Sequence, residues 1–293
     1  MVKALRLPAL LLAASALSFP ASAASPPSVW VTIPPQAWVV DQLAGDLVQV
    51  HVLVGPGQSH HTFEPGPRQI AALQGADLYL RLGASSEDLL MRRLGSVAGD
   101  LQIVDGSRGI QLLPMSNSVA GGDHGHGSGL PDPHYWLDPA LMAIHAANAC
   151  EALSRLLPQH AAELRSRLDT LRDVLGAADR EVSARLQPYA GRSILVYHPA
   201  FGYFTRRYGL VQVAVEVEGK EPTARQLAEL VALTDRIDAN TVFLQPQFAG
   251  RAPQALAEAI GATLVLLNPL ARDYTANLET MAARIAAALG EKR

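Results

Sequence analysis

Three histidines occupy positions from which they could hold one metal ion. His61 follows the second predicted strand, His134 lies beyond the fourth, and His198 stands at the end of the fifth. Open α/β sheets hold ligands at the carboxyl ends of their strands, which is where all three residues fall. Three neutral imidazoles with one oxygen or water form a tetrahedral site that suits Zn²⁺, with metal–nitrogen distances of about 2.0–2.1 Å. Mn²⁺ prefers more carboxylate, so this donor set favours zinc.

A fourth polar residue, Asn268, ends the eighth predicted strand. If two lobes face each other across a cleft, the four positions converge on one point from both sides. A single histidine near a strand end is more often a surface or core residue than a ligand. Three histidines at equivalent topological positions, by contrast, favour a shared site.

The elements that would position these residues are eight short β-rich runs. The predicted strands span residues 29–33, 49–54, 78–82 and 102–105 in the first half, and 194–197, 212–217, 241–244 and 263–267 in the second. Helical patterns alternate with them, as in the βα units that build parallel sheets. We therefore predict an α/β fold with two lobes, each a mainly parallel four-stranded sheet flanked by helices.

A long helical pattern connects the two sets of strands. Residues 139–186 carry apolar side chains at helical spacing, and only Pro158 interrupts the pattern. This predicts a long linking helix, which would limit how far the lobes hinge apart. The expected division is an export signal at 1–23, an N-terminal metal-binding lobe at 24–138, the linking helix at 139–187 and a C-terminal metal-binding lobe at 188–293.

The first 23 residues have the pattern of a cleaved export signal. Lys3 and Arg6 precede an apolar stretch at 8–19, and Ala21-Ser22-Ala23 has the small residues of a cleavage site. The apolar stretch is too short to span a bilayer. We expect a secreted protein that acts in a bacterial periplasm.

Composition excludes several other classes of protein. Of 293 residues, 49% are hydrophobic and 17% are charged, so the chain can bury a substantial core and is not disordered. The net charge of −3 comes without a block of Lys or Arg, which argues against a nucleic-acid partner. The single cysteine, Cys150, excludes an intramolecular disulfide and a thiolate-rich metal site, and its helical context predicts a buried side chain. We expect a monomer.

Eight segments, in this order, resemble the metal-binding solute receptors of zinc and manganese ABC importers. They are IPPQAW (33–38), AGD (44–46), HTFEP (61–65), ADL (76–78), WLDP (136–139), HPAFGYF (198–204), VEGKEP (217–222) and NPL (268–270). The resemblance runs from about Val29 to the end of the chain. It implies two α/β lobes joined by a long helix, with a metal held in the cleft and passed to a membrane permease.

The resemblance also assigns ligands by position. His61, His134 and His198 match the three imidazole sites of the family. Manganese receptors usually carry a carboxylate at the third position, so His198 again favours zinc. Many members carry Asp where this chain has Asn268, a neutral and weaker donor, which leaves water, chloride, His60 or Glu64 as alternative fourth ligands.

Other histidines and acids receive secondary assignments. His60 replaces a proline that often precedes the first histidine, and we expect its side chain to be solvated. A loop with His124 and His126 resembles in miniature the His/Asp-rich insertion of zinc receptors, although a linker with incidental histidines explains it equally well. Candidate acceptors for the second nitrogen of a liganding histidine are Asp138, Glu64 and Glu216, and structural roles are assigned to His51, His145 and His160.

Two other functions would use similar residues. Three histidines and an open coordination position could activate water in a hydrolase, but the chain has neither a Gly-x-Ser-x-Gly elbow nor a His-Glu-x-x-His helix. A receptor for a metal chelate would need a wider cleft lined by aromatic or Arg residues. We therefore predict a non-enzymatic receptor that captures Zn²⁺, with Mn²⁺ as the alternative metal and an ABC permease as the partner.

Overall fold

The computed structural model describes residues 25–95, 99–115, 130–216, 223–237 and 239–290. The predicted export signal at 1–23 and the loop with His124 and His126 lie outside these ranges. Within these ranges no helix has both the length and the apolar character needed to cross a membrane.

The first lobe is built on a parallel sheet of four short strands. These are β1 (Ser28–Val31), β2 (Gln49–Val52), β3 (Leu78–Arg81) and β4 (Gln102–Asp105). Their order across the sheet is β2-β1-β3-β4, and each adjacent pair is parallel. Helices α1 (Pro34–Ala44), α2 (Pro67–Gln74) and α3 (Asp88–Leu94) follow β1, β2 and β3 in turn, so that each connects two successive strands. The four strands predicted in this half are confirmed.

Local sequence explains how β1 turns into α1. Two prolines occupy the first turn of α1, where a missing N–H costs nothing and the fixed φ suits a helix. The buried side chain of Gln36 accepts hydrogen bonds from the backbone N–H groups of Thr32 (3.0 Å) and Ile33 (3.1 Å). The same side chain donates to the carbonyl of Leu80 at 3.2 Å, which ties the end of β1 to β3.

The predicted helical connection is confirmed as two helices. Pro158 separates α4 (Pro139–Leu156) from α5 (Ala161–Leu186). Proline lacks the N–H of a helical hydrogen bond and clashes with the preceding turn, so the helix breaks there. The two helices pack against each other, and α4 also packs against β3, β4 and α1 of the first lobe. The residue boundaries of the lobes stay predictions.

The second lobe repeats the architecture of the first. Its strands are β5 (Ser193–Val196), β6 (Val211–Ala214), β7 (Thr241–Leu244) and β8 (Thr263–Leu266), in the parallel order β6-β5-β7-β8. Its helices are α6 (Gly202–Arg207), α7 (Ala224–Arg236), α8 (Arg251–Ala259) and α9 (Tyr274–Gly290). Thr223 caps α7, since its N–H donates to Gln226 Oε1 at 2.9 Å and its Oγ1 accepts the Gln226 N–H at 3.4 Å.

Helix α5 joins the two lobes. It packs against α1 of the first lobe and α9 of the second, and one apolar core extends from the first sheet through α5 to α9. Two polar links lie beside this core. Trp136 Nε1 donates to the carbonyl of Pro269 at 2.8 Å, and the Tyr203 hydroxyl donates to the carbonyl of Asp132 at 2.9 Å. The second lobe thus contacts the chain just before His134, at Asp132, and just after it, at Trp136.

The buried residues of α4 agree with their predicted structural roles. Cys150 is buried. His145 is also buried, with Nδ1 3.0 Å from the Tyr135 hydroxyl and 3.2 Å from the carbonyl of Gly106. Burial lowers the pKa of His145 to about 4, so the imidazole is neutral near pH 7.

Candidate metal centre

The imidazoles of His61, His134 and His198 meet between the lobes. His61 lies on the loop after β2, His134 begins the 3₁₀ turn His134–Leu137, and His198 lies two residues beyond β5. The Nε2 atom of His61 is 3.1 Å from Nε2 of His134 and 3.0 Å from Nε2 of His198. Metal–nitrogen bonds of about 2.0–2.1 Å at tetrahedral angles place ligand nitrogens about 3.3 Å apart. The two spacings from His61 are close to those of a zinc site, and the ring centroids of His134 and His198 lie 5.6 Å apart.

Carboxylates hold two of the three rings in place. Asp132 Oδ1 lies 2.6 Å from Nδ1 of His134 and also accepts the backbone N–H of His134 at 2.9 Å. Glu216 Oε2 lies 3.1 Å from Nδ1 of His198. Each carboxylate is buried, and each favours the tautomer with the proton on Nδ1 and a free lone pair on Nε2. A metal ion requires that tautomer.

Hydrogen bonds among the rings cannot explain both close Nε2–Nε2 contacts of His61. With the Nδ1 protons of His134 and His198 directed at carboxylates, both Nε2 atoms are acceptors. A neutral His61 has a single proton, so its Nε2 can donate to one of these neighbours at most. A cation at the meeting point would satisfy all three lone pairs at once.

Burial favours the neutral forms of His61 and His198. Desolvation, followed by the proximity of His134 and His198, lowers the pKa of His61 to about 2. Desolvation also lowers the pKa of His198, although its hydrogen bond to Glu216 acts in the opposite direction. Neutral imidazoles offer their lone pairs to a metal without first losing a proton.

The expected carboxylate partners are only partly correct. Glu216 contacts His198 as predicted. Asp138 instead caps α4 by accepting the Ala140 N–H at 2.9 Å, and Glu64 is exposed and lies 3.9 Å from Arg93. Sequence reasoning missed Asp132, although its place two residues before His134, across Pro133, was a usable signal because a short turn can return a side chain to its neighbour.

Asn268 is engaged elsewhere. Its Oδ1 accepts the backbone N–H of Leu270 at 3.0 Å, and its carbonyl accepts from Asn277 Nδ2 at 2.7 Å. It lines a cavity of about 590 Å³ together with Gln58 and Arg272, whereas His61 lines a separate cavity of about 260 Å³. Its role as a fourth ligand therefore stays a prediction, and the Leu270 N–H competes for the oxygen that would bind the metal.

His60 is buried, so the expectation of a solvated side chain is wrong. It is 3% exposed, and its ring centroid lies 4.0 Å from that of His61 and 5.0 Å from that of His134. Trp136 covers it from another side, with a centroid distance of 5.3 Å. The comparison with a family position that is often proline did not indicate that the His60 side chain would be buried.

Comparison with known proteins places the chain among metal receptors. Residues 29–288 match the family described as zinc-uptake complex component A, periplasmic. The high-affinity zinc uptake system protein ZnuA of Paracoccus denitrificans is 30% identical over 242 residues, which cover 72% of each chain. A crystal structure of ZnuA is 34% identical and superposes with a TM-score of 0.83, covering 90% of this chain and all of that one. A zinc-bound ZnuA deletion mutant has the same TM-score and identity, covering 92% of this chain and all of that one.

Proposed function

The chain belongs to the family of zinc-uptake complex component A, periplasmic, and on this premise we propose that it captures Zn²⁺ between its lobes and delivers it to the permease of an ABC importer. It acts in the periplasm, as the family description and the predicted export signal both suggest. The observation that carries the proposal is the approach of three imidazole Nε2 atoms from separate segments, with His61 3.0–3.1 Å from the other two.

The donor set supports zinc over manganese. The described carboxylates that contact the cluster are Asp132 and Glu216. Each contacts the Nδ1 atom of a ring, so an imidazole ring separates it from the proposed metal position. A site with nitrogen donors alone suits Zn²⁺, whereas Mn²⁺ is a harder ion that favours oxygen. Binding is also favoured over hydrolysis, because His134 is fully buried and Phe248 stacks on His198 at 4.9 Å, so that of these three rings only His61 lines the cavity of about 260 Å³.

Direct titration tests the proposal. Purified chain, stripped with a chelator and dialysed, should bind about one Zn²⁺ per molecule and bind Mn²⁺ more weakly in competition. Because a ligand that binds only the folded state stabilises it by RT ln(1 + [L]/Kd), a hundredfold excess over Kd should add about 2.7 kcal/mol to the free energy of unfolding. Zinc-limited growth that depends on both this chain and its permease tests delivery. Tighter binding of Mn²⁺, or metal-dependent hydrolysis, would favour the alternatives.

Removing either carboxylate charge should weaken zinc binding. We expect Asp132→Asn and Glu216→Gln each to lower the affinity for Zn²⁺ about 10–100-fold, because the imidazole loses the acceptor that orients it and raises its basicity. Competition with a chromogenic chelator measures the effect. Glu64→Gln is the matched control, since this carboxylate is 69% exposed and pairs distantly with Arg93. Equal affinities in all three variants would contradict the role given to the carboxylates.

A further inference from the structure

His60 is a buried polar side chain whose hydrogen-bonding groups are unused. Neither Nδ1 nor Nε2 has a hydrogen-bond partner among the described residues, and the side chain is 3% exposed. A neutral imidazole carries one N–H and one lone pair, and folded proteins rarely bury both without a partner. Such a residue requires an explanation, and packing alone would be served better by an apolar side chain.

The position of His60 supplies that explanation. One ring nitrogen each from His60, His61 and His134 lie within 4.8 Å of one another. The three rings therefore surround one small volume, with Trp136 closing the side next to His60. His60 and His61 are neighbours on the irregular loop between β2 and α2, so small changes in this loop can bring both rings to one ion.

We propose that His60 is the fourth ligand of the bound ion, so that Zn²⁺ is held by the four imidazoles of His60, His61, His134 and His198. This rests on the proposed function and names the ligand that completes its site. Among His60, His61 and His134, reducing a separation of up to 4.8 Å to the roughly 3.3 Å of a tetrahedral site requires a ring movement of about 1–2 Å. His198 joins this group through its Nε2, which lies 3.0 Å from Nε2 of His61. Asn268 and Glu64 then have no part in coordination, in agreement with their contacts to Leu270 and Arg93.

Charge balance is consistent with four neutral ligands. A dication among four imidazoles keeps its full double charge, which is costly in a buried site unless it is compensated. Asp132 and Glu216 are both buried and each contacts a liganding ring, so together they supply two negative charges. The ion does not need a carboxylate among its direct ligands.

Zinc affinity and ligand counting test the proposal together. We expect His60→Leu to lower the affinity for Zn²⁺ about 10–30-fold and to lower the preference for Zn²⁺ over Mn²⁺, because one nitrogen donor is lost. X-ray absorption of the zinc-loaded protein should fit four imidazoles in the unchanged chain and three with one oxygen in the variant. His160→Leu is the control, because His160 lies at the surface beside Glu163, 3.1 Å away.

A structural role would give a different result. Without metal, His60→Leu should be at least as stable as the unchanged chain in urea, since it removes two unpaired polar atoms and adds an apolar side chain. Loss of stability without metal, with unchanged zinc affinity and three imidazoles in both proteins, overturns the proposal. If His61→Ala also leaves zinc affinity unchanged, the proposed function fails as well, so the two failures are distinguishable.

Discussion

Replacing His61 by alanine should lower the affinity for Zn²⁺ at least about a thousandfold. Its Nε2 is the central atom of the cluster, 3.0 Å from Nε2 of His198 and 3.1 Å from Nε2 of His134. Removing it takes away one of the proposed nitrogen ligands and the contact that joins the other two rings. A thousandfold loss corresponds to about 4 kcal/mol of binding free energy. Competition against a chelator of known affinity measures it.

His61 is the best residue for this experiment because its removal should leave the fold intact. It is half-buried on a loop, whereas His134 is fully buried and its replacement would also open a cavity. His51→Ala is a suitable control, since His51 stacks on Trp30 away from the cluster. An affinity for Zn²⁺ within tenfold of the unchanged chain would show that the cluster is not the metal site.

Replacing Glu87 by alanine should destabilise the protein by about 4 kcal/mol. This carboxylate is 3% exposed and is the common acceptor for one end of the first sheet. Its oxygens accept the backbone N–H groups of Leu82 (2.7 Å), Gly83 (2.8 Å) and Ala84 (3.1 Å), the hydroxyl of Tyr79 (3.0 Å), Arg81 Nε (3.3 Å) and the hydroxyl of Thr32. Each buried donor left without an acceptor costs about 1–3 kcal/mol, and water entering from the adjoining cavity offsets part of the sum.

Urea denaturation in the presence of a chelator measures this effect without a contribution from metal. Glu87→Gln keeps one oxygen acceptor and should lose about half as much stability. Asp88→Ala is the matched control, because the neighbouring carboxylate is 55% exposed and lies 3.7 Å from Arg81, so its loss should cost less than about 0.5 kcal/mol. A Glu87→Ala variant as stable as Asp88→Ala would show that the donors find other acceptors.

The hydrogen bonds of Glu87 also connect to the histidine cluster. The carbonyl of Leu82, whose N–H is held by Glu87, accepts a hydrogen bond from the Tyr135 hydroxyl at 3.1 Å. Tyr135 is the next residue after His134. Stability of the first sheet and placement of one imidazole are thus connected through a short chain of hydrogen bonds.

The strands and helices could be predicted because their signals are local. Alternating β-branched runs and Gly or Pro boundaries placed seven of the eight strands within two residues of their observed ends. The predicted strand 212–217 extends three residues past Ala214, where β6 ends, and its last residue lies outside the described part of the chain. The break at Pro158 was also readable, since it depends on residues within one helical turn.

The partners of the site residues could not be predicted in the same way. Asp138, Glu64 and Glu216 are equally plausible acceptors in the sequence, and only Glu216 contacts a ring of the cluster. His60 looks like a polar loop residue, yet the ring of Trp136, 76 positions away, covers it. Asn268 matches a ligand position, and its oxygen is held by Leu270.

Local sequence patterns suffice to predict two α/β lobes with imidazoles at the carboxyl ends of their strands, because side-chain periodicity and chain direction fix which end of a strand a residue follows. Which imidazoles share a volume, and which carboxylates orient them, depends on tertiary packing. Those outcomes depend on how two sheets, separated by the helices α4 and α5, come together, and His61 and His198 are 137 residues apart in the chain yet 3.0 Å apart at their Nε2 atoms.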